Sequence, residues 1–215
     1  MKKMSFEDCW SDYESLMIQC PELFRASELL PIVTDKEQAR AFYKRTGLHI
    51  GVVYKSSYHI MLVDLIDGRY TYERLIPAVA RGAVVTAVVK NGKYILLKQY
   101  RHALRDFELS FPRGFGEHGI SPEENARKEL AEEIAAEVIS VEYVGQVVAD
   151  SGILGTKADV FYCEISGYAP DSNAEGIVEI IEVSQNELDR MIASNEITDG
   201  YTLSSYFLCK LRISH

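Results

Sequence analysis

The spacing of apolar residues changes near residue 48, from a helical period to an alternating one. Up to residue 47 the apolar positions recur every three or four residues, which predicts helices. Ser5 with Asp8, and Thr34 with Glu37, have the spacing of capping boxes, and Gly47 is typical of a helix end. The apolar positions concerned are Phe6, Trp10, Tyr13, Leu16, Met17, Ala39, Phe42 and Tyr43. The first 47 residues are therefore predicted to form a helical extension.

Alternating apolar and polar residues predict strands over much of the remaining chain. The predicted strands cover residues 49–55, 58–65, 69–75, 80–89, 94–99, 138–148, 159–165 and 177–183. Asp67-Gly68 and Asn91-Gly92 have the residue types of two-residue hairpin turns. Later helices are predicted over residues 122–135, after Ser184, and over residues 200–211. Strands, one acidic helix, more strands and a closing helix predict an α+β fold or an α/β/α sandwich.

Composition argues against several kinds of partner. The chain of 215 residues has a formal net charge of −9 and an isoelectric point near 5.1. Nucleic acids and anionic membranes bind basic surfaces, so neither is an expected partner. The four cysteines are scattered and form no C-x-x-C pair, which fits a reducing compartment. No apolar run has membrane-spanning length and no signal peptide is recognised, so a cytoplasmic location is expected.

Three carboxylates lie close together on the helix predicted from residue 122, directly after a glycine-rich loop. Successive helix residues rotate by about 100°, so the three side chains fall within roughly a quarter turn. They are Glu129, Glu132 and Glu133, and they lie at the edge of an apolar stripe of Ala126, Leu130 and Ile134. A solvated acidic face is one interpretation. The other is a divalent metal site, because hard carboxylate oxygens suit Mg²⁺ or Mn²⁺.

Residues 112–136 resemble the Nudix box, the motif of the hydrolases that cleave nucleoside diphosphates linked to another group. The family pattern is G-x5-E-x7-R-E-U-x-E-E-x-G-U, where U is aliphatic, and the chain aligns without gaps from Gly114. The matching residues of the acidic core are Glu129, Leu130, Glu132 and Glu133. Three positions depart from the pattern, namely Ile120 for Glu, Lys128 for Arg and Ala135 for Gly. Ala135 is expected to cost little if the helix simply continues through it.

The resemblance implies a mixed sheet between helices over roughly residues 49–213, and it is strongest to the ADP-ribose pyrophosphatase branch. Softer matches to that branch are residues 99–101, 108–109 and 195–200. The chain divides accordingly into a helical extension over residues 1–47, antiparallel strands over 48–78 and a Nudix hydrolase domain over 79–215. Because this branch commonly pairs through its N-terminal strands, residues 48–78 are the expected homodimer contact.

The family's metal-binding roles can be carried over by position. The main-chain carbonyl of Arg113 and the side chains of Glu129 and Glu133 are expected to coordinate Mg²⁺ or Mn²⁺. Glu132 is expected to help hold a further ion, so Glu129 and Glu132 count among the catalytic candidates. Lys128 stands where the family's arginine orients a glutamate of the box, and lysine keeps that charge without the planar fork.

The substrate-binding candidates are Arg101, Glu108 and Gly114. Arg101 is expected at the phosphates or ribose and Glu108 at the nucleobase side, although a surface ion pair is the alternative for Arg101. The general-base candidate is Glu175 in a late loop, with Glu179 as the second choice. Glu175 also reads as an ordinary loop acid.

The resemblance leaves three functions open. One is metal-dependent hydrolysis of a small nucleoside diphosphate derivative, such as ADP-ribose or a nucleotide sugar. Another is a catalytically weakened Nudix domain that binds a nucleotide as a sensor or regulator, which the departures at Ile120 and Lys128 favour. The last is a structural role for the N-terminal helices.

Overall fold

A computed structural model describes residues 4–25, 27–78, 83–117, 119–169 and 176–213. Within those ranges no helix is both long and apolar enough to cross a membrane. The chain forms two compact units. Unit 1 comprises Met1–Val79 with Asp150–Thr156, and unit 2 comprises Ala80–Ala149 with Lys157–His215.

Unit 1 combines helices with an antiparallel sheet in the order β1-β2-β3. Its elements are α1 (Phe6–Gln19), a 3₁₀ helix (Pro21–Phe24), α2 (Lys36–Thr46), β1 (Gly51–Lys55), β2 (His59–Ile66) and β3 (Tyr70–Pro77). Ser5 and Asp8 form the predicted capping box of α1. The predicted cap of α2 is wrong by one residue, because Asp35, not Thr34, accepts the hydrogen bond from Gln38 N. Its carboxylate is the better acceptor for that orphan N–H.

The helices and the sheet of unit 1 share one hydrophobic core. Fully buried side chains from both meet in it, including Trp10, Tyr13, Ile50, Leu62 and Leu65. The Tyr13 hydroxyl donates to Asp64 at 2.5 Å, and Arg74 Nε donates to the same carboxylate at 2.5 Å. Asp64 is 2% exposed, so this buried charge is paired and hydrogen-bonded, as burial of an ion requires. Burial and the Asp64 carboxylate both raise the pKa of Tyr13.

Unit 2 is built on a mixed sheet of seven strands. Its elements are β4 (Ala83–Lys90), β5 (Lys93–Arg101), β6 (Asp106–Ser110), β7 (Arg113–Phe115), α3 (Pro122–Ile134), β8 (Glu137–Val147), β9 (Ala158–Gly167), β10 (Ile177–Val183), α4 (Gln185–Ala193) and α5 (Gly200–Ile213). The main path is β10-β5-β4-β9-β8, with β6 paired to β5 and β7 paired to β4. Strands β4 and β9 are parallel, and the other neighbouring strands of this sheet are antiparallel.

Helices cover both faces of this sheet. Alternate residues of β4 enter two different cores: Val85 lies in the core shared with Leu188 and Tyr206, and Val84 lies in the core shared with Leu130. Helices α4 and α5 therefore cover one face and α3 the other. This arrangement confirms the predicted α/β/α sandwich with a mixed sheet.

The strands β6 and β7 are absent from the sequence prediction. Both are short, and Pro112 lies between them and donates no hydrogen bond. Strand β6 forms a hairpin with the preceding β5, with Ser110 opposite Leu97, and β7 pairs with the more distant β4, with Gly114 opposite Val84. Of the predicted segments, residues 80–82 of one strand and residues 170–175 of one loop lie outside the described ranges.

The expectation that α3 continues through Ala135 is wrong. The helix ends at Ile134, and Ala135 adopts the left-handed conformation, with φ 45° and ψ 45°. Its N–H closes the helix by donating to Ala131 O. The Nudix pattern has glycine at this position, and a Cβ in this conformation is strained by roughly 1–2 kcal/mol.

Replacing Ala135 by glycine is expected to stabilise unit 2. Ala135→Gly should raise the free energy of unfolding by about 1 kcal/mol, because the strained Cβ is removed. Ala131→Gly is the matched control, since Ala131 lies inside the same helix, where glycine should cost about 1 kcal/mol. Urea denaturation should show shifts of opposite sign, and two destabilised variants would contradict the strain at Ala135.

Candidate active site

The carboxylate of Glu129 lies directly against the main chain of Gly114. A Cβ added to Gly114 would stand 1.9 Å from Glu129 Cδ and 2.0 Å from Oε2, closer than any real contact. Helix α3 is fixed in this orientation at its start, where Ser121 and Glu124 form a complete capping box. Gly114 is therefore required for the approach of the carboxylate to strand β7.

Glu133 lies one helical turn further along α3 and is buried. The side chain is 7% exposed, and Oε2 accepts a hydrogen bond from Arg113 N at 3.2 Å. Glu129 and Glu133 thus converge on two consecutive residues of β7, Arg113 and Gly114. The structure brings together the segments that the sequence assigned to the metal site.

Glu132 lies on the exposed side of α3 and has a different partner. Lys128 Nζ is 2.9 Å from Glu132 and 2.6 Å from Glu117, so the lysine bridges helix and loop. These two carboxylates raise the pKa of Lys128. Ile120, where the family has glutamate, leaves no carboxylate at that position, and Glu117 supplies one to Lys128 from three residues upstream.

Arg101, at the end of β5, is half-buried and incompletely paired. Its Nη2 donates to Ser110 Oγ at 3.0 Å, and its buried Nε has no hydrogen-bond partner among the described residues. Burial lowers the pKa of Arg101, and the positive charge of Arg113 lowers it further, against opposing effects of Asp199, Glu133 and Glu108. A guanidinium with an unsatisfied N–H in a charged cluster is suited to bind an anionic group.

Glu108 is held by the segment before α5. Its Oε1 accepts hydrogen bonds from Thr198 N at 3.0 Å and from Thr198 Oγ1 at 2.9 Å. Two of the stretches with soft family matches, residues 108–109 and 195–200, are therefore joined through side chains, and residues 99–101 lie beside β6 in the sheet. No local pattern in the sequence indicates that Thr198 is the partner of Glu108.

The side chain of Arg113 also has a role that the sequence did not reveal. Its Nη2 lies 3.2 Å from Asp199 Oδ1, and its guanidinium lies 5.0 Å from the ring centroid of Tyr201. Only its main-chain carbonyl was expected at the site. The sequence signal that was available is the Thr198-Asp199-Gly200 stretch. It indicates that the Asp199 carboxylate caps an apolar helix, but not that it pairs with Arg113.

Only one of the two general-base candidates lies among the described residues. Glu175 lies outside the described residues. Glu179 lies on β10 and is 56% exposed, with its carboxylate 4.0 Å from Lys98 Nζ. Lys98 is also its cross-strand neighbour on β5, so its described contacts lie within the sheet.

The residues at β7 fit a magnesium ion held in part by its substrate. In the described part of the chain, no three His, Cys, Asp or Glu side chains are gathered as a ready metal site. Two carboxylates, Glu129 and Glu133, do converge on the main chain of β7. Mg²⁺ is usually bound by one or two carboxylates together with substrate phosphates and water, so two protein carboxylates are sufficient.

The chain belongs to the Nudix family, because the NUDIX domain model matches residues 80–195, more than half of its length. It is 26% identical over 143 residues to an ADP-ribose pyrophosphatase of Bacillus subtilis (strain 168), covering 65% of this chain and 77% of that protein. It is also 26% identical over 146 residues to a methanol dehydrogenase activator of Bacillus methanolicus, covering 66% and 77% respectively. These matches confirm the family resemblance drawn from the motif.

The fold is shared with a solved ADP compounds hydrolase. The TM-score is 0.62 at 15% sequence identity, over 78% of this chain and 92% of that structure. This likeness supports the sandwich architecture independently of the motif.

Proposed function

We propose that the chain is a divalent-metal-dependent hydrolase of the diphosphate linkage in nucleoside diphosphate derivatives, of the ADP-ribose or nucleotide sugar class. The observation that carries the proposal is the convergence of Glu129 and Glu133 on Arg113 and Gly114. The similarity to an ADP-ribose pyrophosphatase supports the substrate class. The close approach of the Glu129 carboxylate to the Gly114 main chain, beside Glu133, suits a shared set of metal ligands.

In this proposal Glu129, Glu133 and the Arg113 carbonyl hold Mg²⁺ or Mn²⁺, and Glu132 contributes to a further ion. The bound ion supplies Lewis-acid polarisation of the diphosphate. Gly114 allows the Glu129 carboxylate to reach the strand. Arg101 binds a phosphate oxygen through its guanidinium.

Two further roles complete the proposal. Glu175 accepts a proton from the attacking water, and Glu179 is the second choice although it faces Lys98. Glu108 meets the nucleobase side of the substrate, while Thr198 donates hydrogen bonds to its Oε1. Both roles derive from the family pattern rather than from contacts of these side chains.

A second candidate function is nucleotide binding without turnover, as a regulator. Two observations favour it: Ile120 leaves the box without its first glutamate, and one relative is a methanol dehydrogenase activator. Both candidates use the same residues for nucleotide binding. They differ in whether bound substrate is cleaved.

A panel of nucleoside diphosphate sugars and ADP-ribose, each with Mg²⁺ or Mn²⁺, separates the two functions. Hydrolysis that yields nucleoside monophosphate and stops with a chelator supports the enzyme. Tight binding with no product from any compound supports the regulator. Absence of both binding and hydrolysis would overturn the two candidates together.

Restoring the family's arginine at position 128 is expected to keep or raise activity. Lys128→Arg should increase kcat at most about tenfold, since a planar fork can hold Glu117 and Glu132 in fixed geometry. Steady-state kinetics with the best compound of the panel measures the change. Arg127→Lys, on the same helix and paired with Glu123 instead, is the control that should leave kcat unaltered. A loss of activity in Lys128→Arg would show that the lysine is specifically required.

We also propose a cytoplasmic homodimer with contacts through residues 48–78. The four cysteines are free thiols, which supports a reducing compartment. A sheet of three strands gains stability from a partner surface. Light scattering should report twice the 24.3 kDa chain mass at micromolar concentration, and a monomer would contradict the proposal.

A further inference from the structure

The segment Thr198 to Thr202 makes a continuous set of contacts with β6, β7 and the residues between them. At one end Thr198 donates two hydrogen bonds to Glu108 Oε1, at 3.0 Å and 2.9 Å. At the other end Thr202 Oγ1 accepts a hydrogen bond from Phe111 N at 3.0 Å. Thr202 is fully buried, so this hydroxyl is shielded from water.

Asp199 joins these two ends. Its Oδ2 accepts hydrogen bonds from Thr202 N at 2.9 Å and from Thr202 Oγ1 at 2.8 Å, which caps α5. Its Oδ1 pairs with Arg113 Nη2 at 3.2 Å. The Asp199 side chain is 10% exposed, and such a shielded pair is less screened than a surface ion pair. The guanidinium is further confined by the ring of Tyr201.

These contacts act on the same short stretch of main chain that meets the acidic helix. Arg113 N donates to Glu133 Oε2, and Glu129 lies against the next residue, Gly114. Pro112 lacks an N–H. Its carbonyl accepts hydrogen bonds from Thr86 of β4, from N at 2.9 Å and from Oγ1 at 3.0 Å. Side chains of the Thr198–Thr202 segment therefore add constraints on Phe111 and Arg113 to those that the pairing of β7 with β4 supplies.

We propose that the Thr198–Thr202 segment is a positioning element for the metal site, with Asp199 and Thr202 as its positioning residues. They hold Phe111 and Arg113 so that the Arg113 N–H and carbonyl keep fixed places relative to Glu129 and Glu133. The inference rests on the proposed function, because it assumes that these two carboxylates bind a divalent ion. Partners that orient metal ligands commonly change metal affinity 10–100-fold when they are removed.

The test compares two substitutions of Thr202 that differ by one hydroxyl. Thr202→Val has the same shape without the hydroxyl, and Thr202→Ser keeps the hydroxyl. Binding of Mn²⁺ alone is measured by calorimetry, without any nucleotide. Thr202→Val should weaken Mn²⁺ affinity at least about tenfold, and Thr202→Ser should recover most of that loss. With substrate at saturating metal, the valine variant should lower kcat more than it changes KM.

Asp199→Asn is the second variant, for the case in which Thr202→Val does not fold. Asparagine keeps an oxygen that caps α5 but loses the charge that pairs with Arg113, so Mn²⁺ affinity should again fall. The control is Asp189→Asn on α4. It breaks the 2.8 Å pair of Asp189 with Lys210, which lies on α5, the helix that Asp199 caps. It should lower stability without altering Mn²⁺ affinity.

The outcomes distinguish this inference from the proposed function. If Thr202→Val and Asp199→Asn fold and bind Mn²⁺ as tightly as the wild type, the positioning role is overturned. This holds whether or not the chain hydrolyses nucleotides. An equal loss of affinity in Asp189→Asn overturns it as well, because the effect would then reflect stability alone. Mn²⁺ binding that depends on Thr202, with no hydrolysis of any compound, supports the positioning role and overturns the enzyme.

Discussion

Glu129→Gln is expected to lower turnover at least about a hundredfold, equivalent to about 2.7 kcal/mol in the activation barrier. The change removes one negative charge from a carboxylate that lies against Gly114, and it replaces one oxygen by an amide NH2 group, which cannot bind a cation. The side chain keeps its size, so α3 and its capping box should remain intact. The measurement is kcat with the best nucleotide of the panel, together with the circular dichroism spectrum.

Glu123→Gln is the matched control for this prediction. It is the same substitution on the same helix, at an exposed carboxylate paired with Arg127. It should leave kcat within about twofold of wild type, as exposed ion pairs contribute little. Raising the Mn²⁺ concentration should restore part of the activity of Glu129→Gln, because the defect is in metal affinity. Full activity of Glu129→Gln at low metal concentration would show that Glu129 is not a metal ligand of the site.

Local signals in the sequence were sufficient for most helix starts. Ser5 with Asp8, Ser121 with Glu124 and Ser184 with Glu187 all form the capping boxes that their spacing indicates. Such boxes involve residues three apart, so their geometry depends on little beyond the local chain. Asp35 is the exception, since Thr34 and Asp35 are both suitable caps and only the fold selects between them.

Features that depend on distant partners were beyond the sequence. Strand β7 has three residues and exists because β4, which is distant in the sequence, pairs with it. The left-handed conformation of Ala135 was likewise unexpected, because alanine favours helix continuation and the fold imposes the end. The pair of Arg113 with Asp199 joins residues 86 positions apart, and no local pattern indicates it.

For the site itself, helix geometry predicted that Glu129, Glu132 and Glu133 share one edge of α3. It did not predict which of these carboxylates are buried and which are exposed. Glu133 is buried at Arg113, whereas Glu132 is exposed and paired with Lys128. The division depends on where β7 and the loop of Glu117 lie, which is a property of tertiary structure. The general base stays a sequence-based proposal, because Glu175 lies outside the described residues.

Gly114→Ala is expected to lower turnover about a hundredfold, nearly as much as loss of the Glu129 charge. The new Cβ would stand 1.9 Å from Glu129 Cδ, so one of them must move. The Glu129 carboxylate ends a flexible side chain and can swing away, so the cost should fall on its position at the site and little on stability. Kinetics and urea denaturation together measure the two effects.

Gly167→Ala is the control for the alanine methyl group. A Cβ at Gly167 would meet Glu137 Oε2 at 3.4 Å, an ordinary contact, so activity should be unaffected. Because Gly114→Ala acts through Glu129, the double variant with Glu129→Gln should be no slower than the slower of the two single variants. Additive losses in the double variant would show that Gly114 serves the site independently of Glu129. Wild-type turnover in Gly114→Ala would show that the position of the Glu129 carboxylate against β7 is not needed for catalysis.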